Sequence, residues 1–545
     1  MARDDLRQPL TKDGPPLVDT FKIEERSLMF NMAWPMMISF FCRMGMASVD
    51  SAFVGHIENG AFQPKEFLAA AGLSDMVTNI LIIPPLAFNQ SLNALVSQAI
   101  GSGNKKMAGT WLQLSMFFLT LTYLPCLVSF FFVSDMLKFL GFSENVCALA
   151  GQYAKWNVFW PIPNGWYQCM RFYFQAQGNT RPAMYNNMVF LAVNALLNWI
   201  FVFGGPFRAI SGWQGFGFIG AAMSISCSRS LQPLFYWLYM FVWKKQHHDT
   251  WPGWSWNFLA RERVKAFMDQ SLPQVGTLIL QAALGQTTTL LIAQLGNLAI
   301  AASAAATALT QIFTGGLAAS LNAVCGIRVG FHLGRGHGVL AKRSALMVFT
   351  FSLYSVGFIA AVLLPFSTQA MSVMTSDNEV VALAAQLLPP VLVNTFCGLI
   401  VECNTGGVFT SQGRTILSTV LSMGIELPLN IGSIAFLVLY MRWGLLPVYW
   451  VQATVSFLEM LLVLVLFSRS DWERYAKEAK MRQEVEEAEA RSTGRRMSPV
   501  PSSPMSQMFQ SPIRKQLAMA AELASAVPLT AEGDVEAITM SIEES

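Results

Sequence analysis

About twelve apolar runs, each roughly 20–30 residues long, occupy residues 28–468 of this 545-residue chain, and each can cross a hydrocarbon core of about 30 Å as a helix rising 1.5 Å per residue. The runs cover approximately 28–55, 67–97, 107–134, 146–170, 182–205, 214–243, 264–295, 297–325, 339–373, 379–405, 414–440 and 444–468. They also repeat. Ala99-Ile100-Gly101-Ser102-Gly103-Asn104 returns as His332-Leu333-Gly334-Arg335-Gly336-His337, a shift of 233 positions, and Gln177-Gly178-Asn179-Thr180 returns as Gln412-Gly413-Arg414-Thr415, a shift of 235. Two anchors with nearly one shift imply a duplicated unit, the first six spans mapping onto the second six. The expected fold is an all-α polytopic membrane protein of twelve transmembrane helices in two pseudo-symmetric six-helix lobes. Membrane chains built this way are characteristically transporters, whose halves rock about a midplane site.

Only 13% of the residues are charged while 53% are hydrophobic, a balance that excludes an ordinary soluble protein. The net charge of +3 is small but unevenly placed. One set of alternate loops holds Lys105, Lys106, Arg171, Arg181, Lys244, Lys245, Arg261, Arg263, Lys265, Arg328, Arg335, Lys342, Arg343 and Arg414; the other holds only Lys65, Lys138, Arg208 and Arg442. Basic short loops stay cytoplasmic, so both termini are expected there. The polar opening Met1-Ala2-Arg3-Asp4-Asp5 shows no cleavable signal peptide. The spacing predicts a cytoplasmic tail over 1–27, an N-lobe over 28–243, an inter-lobe linker over 244–263, a C-lobe over 264–470 and a cytoplasmic tail over 471–545. The eight cysteines lie mostly inside apolar runs without C-x-x-C pairing, so neither a disulfide framework nor a metal site is expected. No dinucleotide fingerprint or Walker A motif occurs, and no cofactor, enzymatic activity or nucleic-acid partner is expected.

After Asp471 the chain is charged and helical in pattern to about Arg491, and then becomes a Ser/Pro/Met-rich tract of the kind that stays disordered. Ser498-Pro499, Ser503-Pro504 and Ser511-Pro512 are candidate targets of a proline-directed kinase; the plain alternative is an idle tail.

Four motifs carry a family resemblance. Ser48-Val49-Asp50-Ser51-Ala52-Phe53-Val54-Gly55-His56 is similar to a "VDtxxvGh" signature, Ser97-Gln98-Ala99-Ile100-Gly101-Ser102-Gly103-Asn104 to "SQxyGagn", and Arg328-Val329-Gly330-Phe331-His332-Leu333-Gly334-Arg335-Gly336 to "RVGnxLGxG". The fourth is Phe174-Gln175-Ala176-Gln177-Gly178 followed by Asn194, Asn198 and Val202-Phe203-Gly204. Together they resemble the multidrug and toxic compound extrusion (MATE) family of cation-coupled antiporters, in a eukaryotic-like form. Taken on their own, the Gly-x-Gly turns are helix C-caps with room for close packing and speak for architecture.

An acid at the bilayer centre costs about 2.5–3.5 kcal/mol on the insertion scale, so each one is a functional candidate. Asp50 leads. The resemblance implies that it belongs to an N-lobe cation or proton site, with Asn194 and Asn198, four apart on one helical face, as companions. Arg43, seven residues before Asp50 on the same face, offers an ion pair or a contact elsewhere. Lys155 and Arg229 are alternative counter-charges, and Asp75 is a further embedded acid. In the C-lobe, Gln281 and Gln286 occupy the positions where eukaryotic relatives commonly carry glutamates, and amides cannot carry a proton cycle. Glu402 and Glu426 are the remaining coupling candidates, each also readable as a structural partner; Glu459 is read either as a transport residue or as lying near a polar interface. Phe53, Trp160 and Tyr167, with Gln281 and Gln286, are candidates for the substrate cavity.

The expected activity is export of organic cations, xenobiotics or metabolites in exchange for protons, or sodium, by rocker-switch alternating access, performed by a monomer in the plasma membrane or a vacuolar or other organelle membrane. A proton moving down one pH unit contributes about 1.4 kcal/mol, so electroneutral exchange for a monocation concentrates substrate about tenfold per unit. Two rivals stand beside this reading: a lipid or lipid-linked-glycan flippase of the wider superfamily, and a non-transporting receptor or scaffold acting through the C-terminal tail.

Overall fold

A computed structural model describes residues 17–57, 63–254, 256–375 and 377–492. These residues are helical throughout their ordered elements, with no strand among them. The first six spans are α1 (Leu17–Gly55), α2 (Pro64–Gln90, resuming as Leu92–Ser102), α3 (Lys105–Ser129), α4 (Glu144–Asn157, then Pro161–Ala176), α5 (Arg181–Phe203) and α6 (Phe218–Trp237, ending in a π-helical turn Leu238–Trp243). The second six are α7 (Arg261–Ala293), α8 (Asn297–Gly334), α9 (Gly338–Leu363), α10 (Asn378–Glu402, then the π-helical Cys403–Phe409), α11 (Thr415–Leu421, continuing through π-helical turns to Tyr440) and α12 (Leu445–Ser468). Ten spans among the described residues are long and apolar enough to cross a membrane by length and composition alone. The other two are α4 and α6. Pro161 and Pro163 break α4 into two pieces too short to cross alone, since proline removes a backbone donor and clashes with the preceding turn; α6 carries Arg229, Gln232 and several serines through its length.

The repeat is visible in how the lobes meet. α1 packs on α8, and α2 packs on both α7 and α8; exchanging α1 with α7 and α2 with α8 turns the α1–α8 contact into the α7–α2 contact. The densest of these seams joins the two copies of the Gly-x-Gly motif. A Cβ on Gly101 would strike the Phe331 carbonyl, one on Gly334 the Gln98 carbonyl, and one on Gly330 the Ser97 hydroxyl. The glycines therefore serve a backbone-to-backbone approach between lobes, which adds to the helix-capping role legible in sequence. Gln98 Nε2 donates to the Ser411 carbonyl at 2.5 Å and Ser91 Oγ lies 2.7 Å from Ser271 Oγ, so the seam is hydrogen-bonded as well as close-packed.

α1 starts eleven residues earlier than the tail boundary expected at 27, because the segment ahead of the apolar run is tied down. Glu25, 4% exposed, accepts from Arg328 Nε at 2.9 Å and Nη2 at 2.6 Å on α8, from Ser344 Oγ at 2.8 Å on α9, and faces His332 Nε2 at 3.3 Å. The linker is likewise held: Lys106 Nζ donates to the Trp251 carbonyl at 2.9 Å, and Gln113 Nε2 to the Gly253 carbonyl at 2.8 Å. The charged helical stretch expected after Asp471 is α13 (Trp472–Ser492). It begins against α9, where Glu473 accepts from the Val339 amide at 3.3 Å and the Trp472 backbone leaves no room for a Cβ on Gly338. The Ser-Pro pairs at 498, 503 and 511 lie outside the described residues.

Candidate functional site

The site forms where α1, α5 and α6 converge in the N-lobe. Asn194 and Asn198 present both amides from one face of α5, and both donate to a single carboxylate oxygen: Nδ2 of Asn194 lies 3.0 Å from Asp50 Oδ1, and Nδ2 of Asn198 lies 2.8 Å from it. Asn194 Nδ2 is also 3.2 Å from Ser228 Oγ, and Asn198 Nδ2 is 3.0 Å from the Asn194 carbonyl, which fixes the orientation of each amide. α6 can approach this closely because Gly220 lies against the Phe201 carbonyl, where any Cβ would clash.

The two carboxylate oxygens are not equivalent. Oδ1 is saturated by amide donors, whereas buried Oδ2 has no hydrogen-bond partner and faces Arg229 Nη2 at 3.8 Å. Arg229 in turn lies over the Trp160 ring, its guanidinium carbon 4.5 Å from the centroid. A carboxylate with one oxygen locked and the other open can gain or lose a proton without rebuilding its surroundings. Its counter-charge is therefore Arg229, not Arg43. Seven residues separate the Cα atoms of Arg43 and Asp50 by about 10 Å along the helix axis, and helical side chains lean toward the N-terminus, so Arg43 leans away from Asp50. It shares electrostatic surroundings with Tyr167, Arg171 and Arg229 instead. Asp75, on α2, is an electrostatic neighbour of Asp50 and Arg229.

The remaining candidates fall in several places. Trp160 joins the Asp50 site through Arg229. Tyr167 is buried and its hydroxyl donates to Asn187 Oδ1 at 2.9 Å, with Gln232 Nε2 donating to the same oxygen at 2.7 Å. Phe53 is half-buried and packs on Phe203, ring centroids 5.8 Å apart, joining α1 to α5. In the C-lobe, Gln281 and Gln286 are exposed on α7 and make no side-chain hydrogen bond among the described residues. Glu402 accepts from Asn322 Nδ2 at 3.0 Å, linking α10 to α8. Glu426 sits on the π-helical turn of α11 beside Glu459. Glu459 is 6% exposed near the middle of α12, so it belongs to the helix interior and not to a polar interface. The C-lobe acids thus stay apart from the N-lobe cluster. Sequence reasoning missed Ser228, a small polar residue with no distinguishing pattern, and missed Glu25, whose partner Arg328 stands 303 positions away. His332, read there only as the flank of a turn, belongs to the Glu25 cluster.

Two helical lobes of spanning length, joined along repeat-related helices and holding a buried carboxylate in one of them, define a transporter of the two-lobed membrane type. The MatE family model matches residues 35–200 and 273–433, one block in each lobe. The chain belongs to this family and is a MATE family transporter. It is 25% identical over 475 residues to multidrug and toxin extrusion protein 1 of Rattus norvegicus, covering 85% of this chain and 79% of that one. It is 23% identical over 484 residues to protein DETOXIFICATION 31 of Arabidopsis thaliana, covering 86% and 88%. In fold it is similar to the crystal structure of the eukaryotic MATE transporter AtDTX14, with a TM-score of 0.73 at 18% identity, covering 85% of this chain and all of that one.

Proposed function

We propose that this transporter is a secondary antiporter that exports small organic molecules in exchange for protons, with Asp50 as the coupling residue in the N-lobe and both termini in the cytoplasm. The observation that carries the reading is the asymmetric Asp50 carboxylate, held by Asn194 and Asn198 on one oxygen and open toward Arg229 on the other. Protonation of the open oxygen weakens its attraction to Arg229, which loosens the tie between α1 and α6 and favours release of substrate; deprotonation restores the tie. Relatives named for multidrug and toxin extrusion support drug-like and toxic small molecules as the substrate class. The basic loops at the Gly-x-Gly end support a cytoplasmic position for that end. The Glu25 cluster and the glycine seam tie the lobes together at this end, and rocking about the seam would alternate access.

The test is uptake of tetraethylammonium into proteoliposomes under an imposed pH gradient, for wild type and Asp50→Asn. Gradient-driven accumulation that disappears in the variant supports proton antiport through Asp50. Accumulation that survives moves the coupling group to Glu402 or Glu426, and accumulation that follows a sodium gradient in place of pH replaces the coupling ion.

A further inference from the structure

The N-lobe interior carries more positive charge than its acids answer. Its carboxylates, Asp50 and Asp75, gather at the Arg229 end. Two turns away along α1, Arg43 is exposed, and among the described residues no carboxylate lies within ion-pair distance of it. It stands about 18 Å along the helix from the Gly55 end at 1.5 Å per residue, too deep to snorkel to that surface. Arg171, half-buried on α4, is its electrostatic neighbour and also has no acid. Arg171 Nε donates to Gln168 Oε1 at 2.9 Å and Nη1 to Gln175 Oε1 at 3.4 Å, both neutral acceptors that leave the charge uncompensated.

Two buried amide donors, one on α4 and one on α5, lack acceptors. Gln175 spends its oxygen on Arg171, and its fully buried Nε2 has no partner. Asn187 spends its oxygen on Tyr167 and Gln232, and its fully buried Nδ2 is likewise unpartnered. Two like charges in one lobe, with no acid beside them and an orphaned buried donor at Gln175, attract an anion. An organic cation would add to the repulsion.

We propose that Arg43 and Arg171 form an anion subsite in the N-lobe that takes the carboxylate of a small organic substrate, while Arg229 remains with Asp50. A guanidinium fork matches a planar carboxylate with two parallel hydrogen bonds, and the Phe172 ring 4.3 Å from the Arg171 guanidinium holds that fork in place from one side. The assignment deepens the antiport reading by naming a substrate class for the same lobe, and it rests on that reading only for the direction of movement.

Equilibrium binding to the purified full-length protein tests it, using radiolabelled p-aminohippurate as the carboxylate, 1-naphthyl phosphate as a competing anion and tetraethylammonium as the cation. Wild type is expected to bind p-aminohippurate. Arg43→Gln is expected to bind about 10–100-fold more weakly, the loss of one charge-assisted fork, with Arg43→Lys intermediate because it keeps the charge and loses the fork. No binding by wild type at millimolar concentration, or wild-type affinity retained in both Arg43→Gln and Arg171→Gln, overturns the subsite. Displacement by 1-naphthyl phosphate at far lower concentration overturns the carboxylate assignment. Gradient-driven transport by the wild type is read separately in proteoliposomes, so anion binding without coupling refutes the antiport reading alone, and coupling without anion binding refutes the subsite alone.

Discussion

Glu25→Ala should open the Gly-x-Gly end of the transporter. Glu25 accepts two hydrogen bonds from Arg328, one from Ser344, and faces His332, so its removal strands a buried guanidinium whose side chain is only 13% exposed. Breaking a buried pair by deleting one partner costs about 3–5 kcal/mol. The cost falls on the closed conformation, because Arg328 regains water once α8 parts from α1. At about 1.4 kcal/mol per decade, the closed-to-open ratio then falls by roughly two to three and a half orders of magnitude. Spin labels at Lys105→Cys, beside the turn between α2 and α3, and at Val339→Cys, at the start of α9, read this end directly by pulsed dipolar spectroscopy in a background free of reactive native cysteines. Wild type should give one short distance, and Glu25→Ala a dominant longer one, with Glu25→Gln between them because the amide keeps part of the hydrogen bonding. A variant that elutes as a folded protein with an unchanged distance distribution would refute the role of Glu25 as a latch.

Four further outcomes follow from the same geometry. Gly220→Val should lower thermal stability by about 1–3 kcal/mol, the usual penalty of overpacking, and reduce gradient-driven uptake, because α6 can no longer bring Ser228 and Arg229 to Asp50; a wild-type melting curve would contradict this. Asn198→Leu should impair proton-driven uptake more than Asn187→Leu does, since Asn198 touches Asp50 and Asn187 serves Tyr167; equal loss in parallel assays would count against the Asp50 site. Removal of residues 493–545 should leave initial uptake rates in proteoliposomes unchanged, whereas a scaffold acting through the tail would lose its role. If a monoanion leaves as a proton enters, each cycle moves two positive charges inward, about 4.6 kcal/mol per 100 mV; p-aminohippurate flux should respond to a valinomycin-imposed potential, and tetraethylammonium flux, exchanged one for one, should not.

The span pattern was legible in sequence because a bilayer demands long uninterrupted apolar helices, and the runs expected at 182–205, 297–325 and 444–468 fall on α5, α8 and α12. Asp50, Asn194 and Asn198 could also be grouped in advance, because the family resemblance implies one N-lobe site for them and four-residue spacing puts both amides on one face. What the sequence could not supply was partner choice across the fold. Arg43 shares a helix face with Asp50, but side-chain direction and two turns of separation hand the contact to Arg229, from a helix whose approach depends on Gly220. Glu25 stands in a polar stretch with no local pattern to mark it, and only the folded chain brings it to Arg328, His332 and Ser344. The C-lobe amides Gln281 and Gln286 are exposed on α7, outside the N-lobe cluster.

The glycine seam also bears on how the protein is made. Gly101 and its neighbours are complete when the first lobe has been synthesised, yet the Phe331 and Gln98 contacts cannot close until a segment 233 positions downstream has emerged. At about 5–20 residues per second, the roughly 90 residues from the end of the first lobe at 243 to Gly334 take about 5–18 s, during which that lobe sits in the bilayer with its half of the seam bare. Its own α1–α5–α6 knot around Asp50 has to hold it together for that interval. The Asp50 carboxylate, with its amide partners, would thereby keep the nascent lobe assembled until its twin arrives.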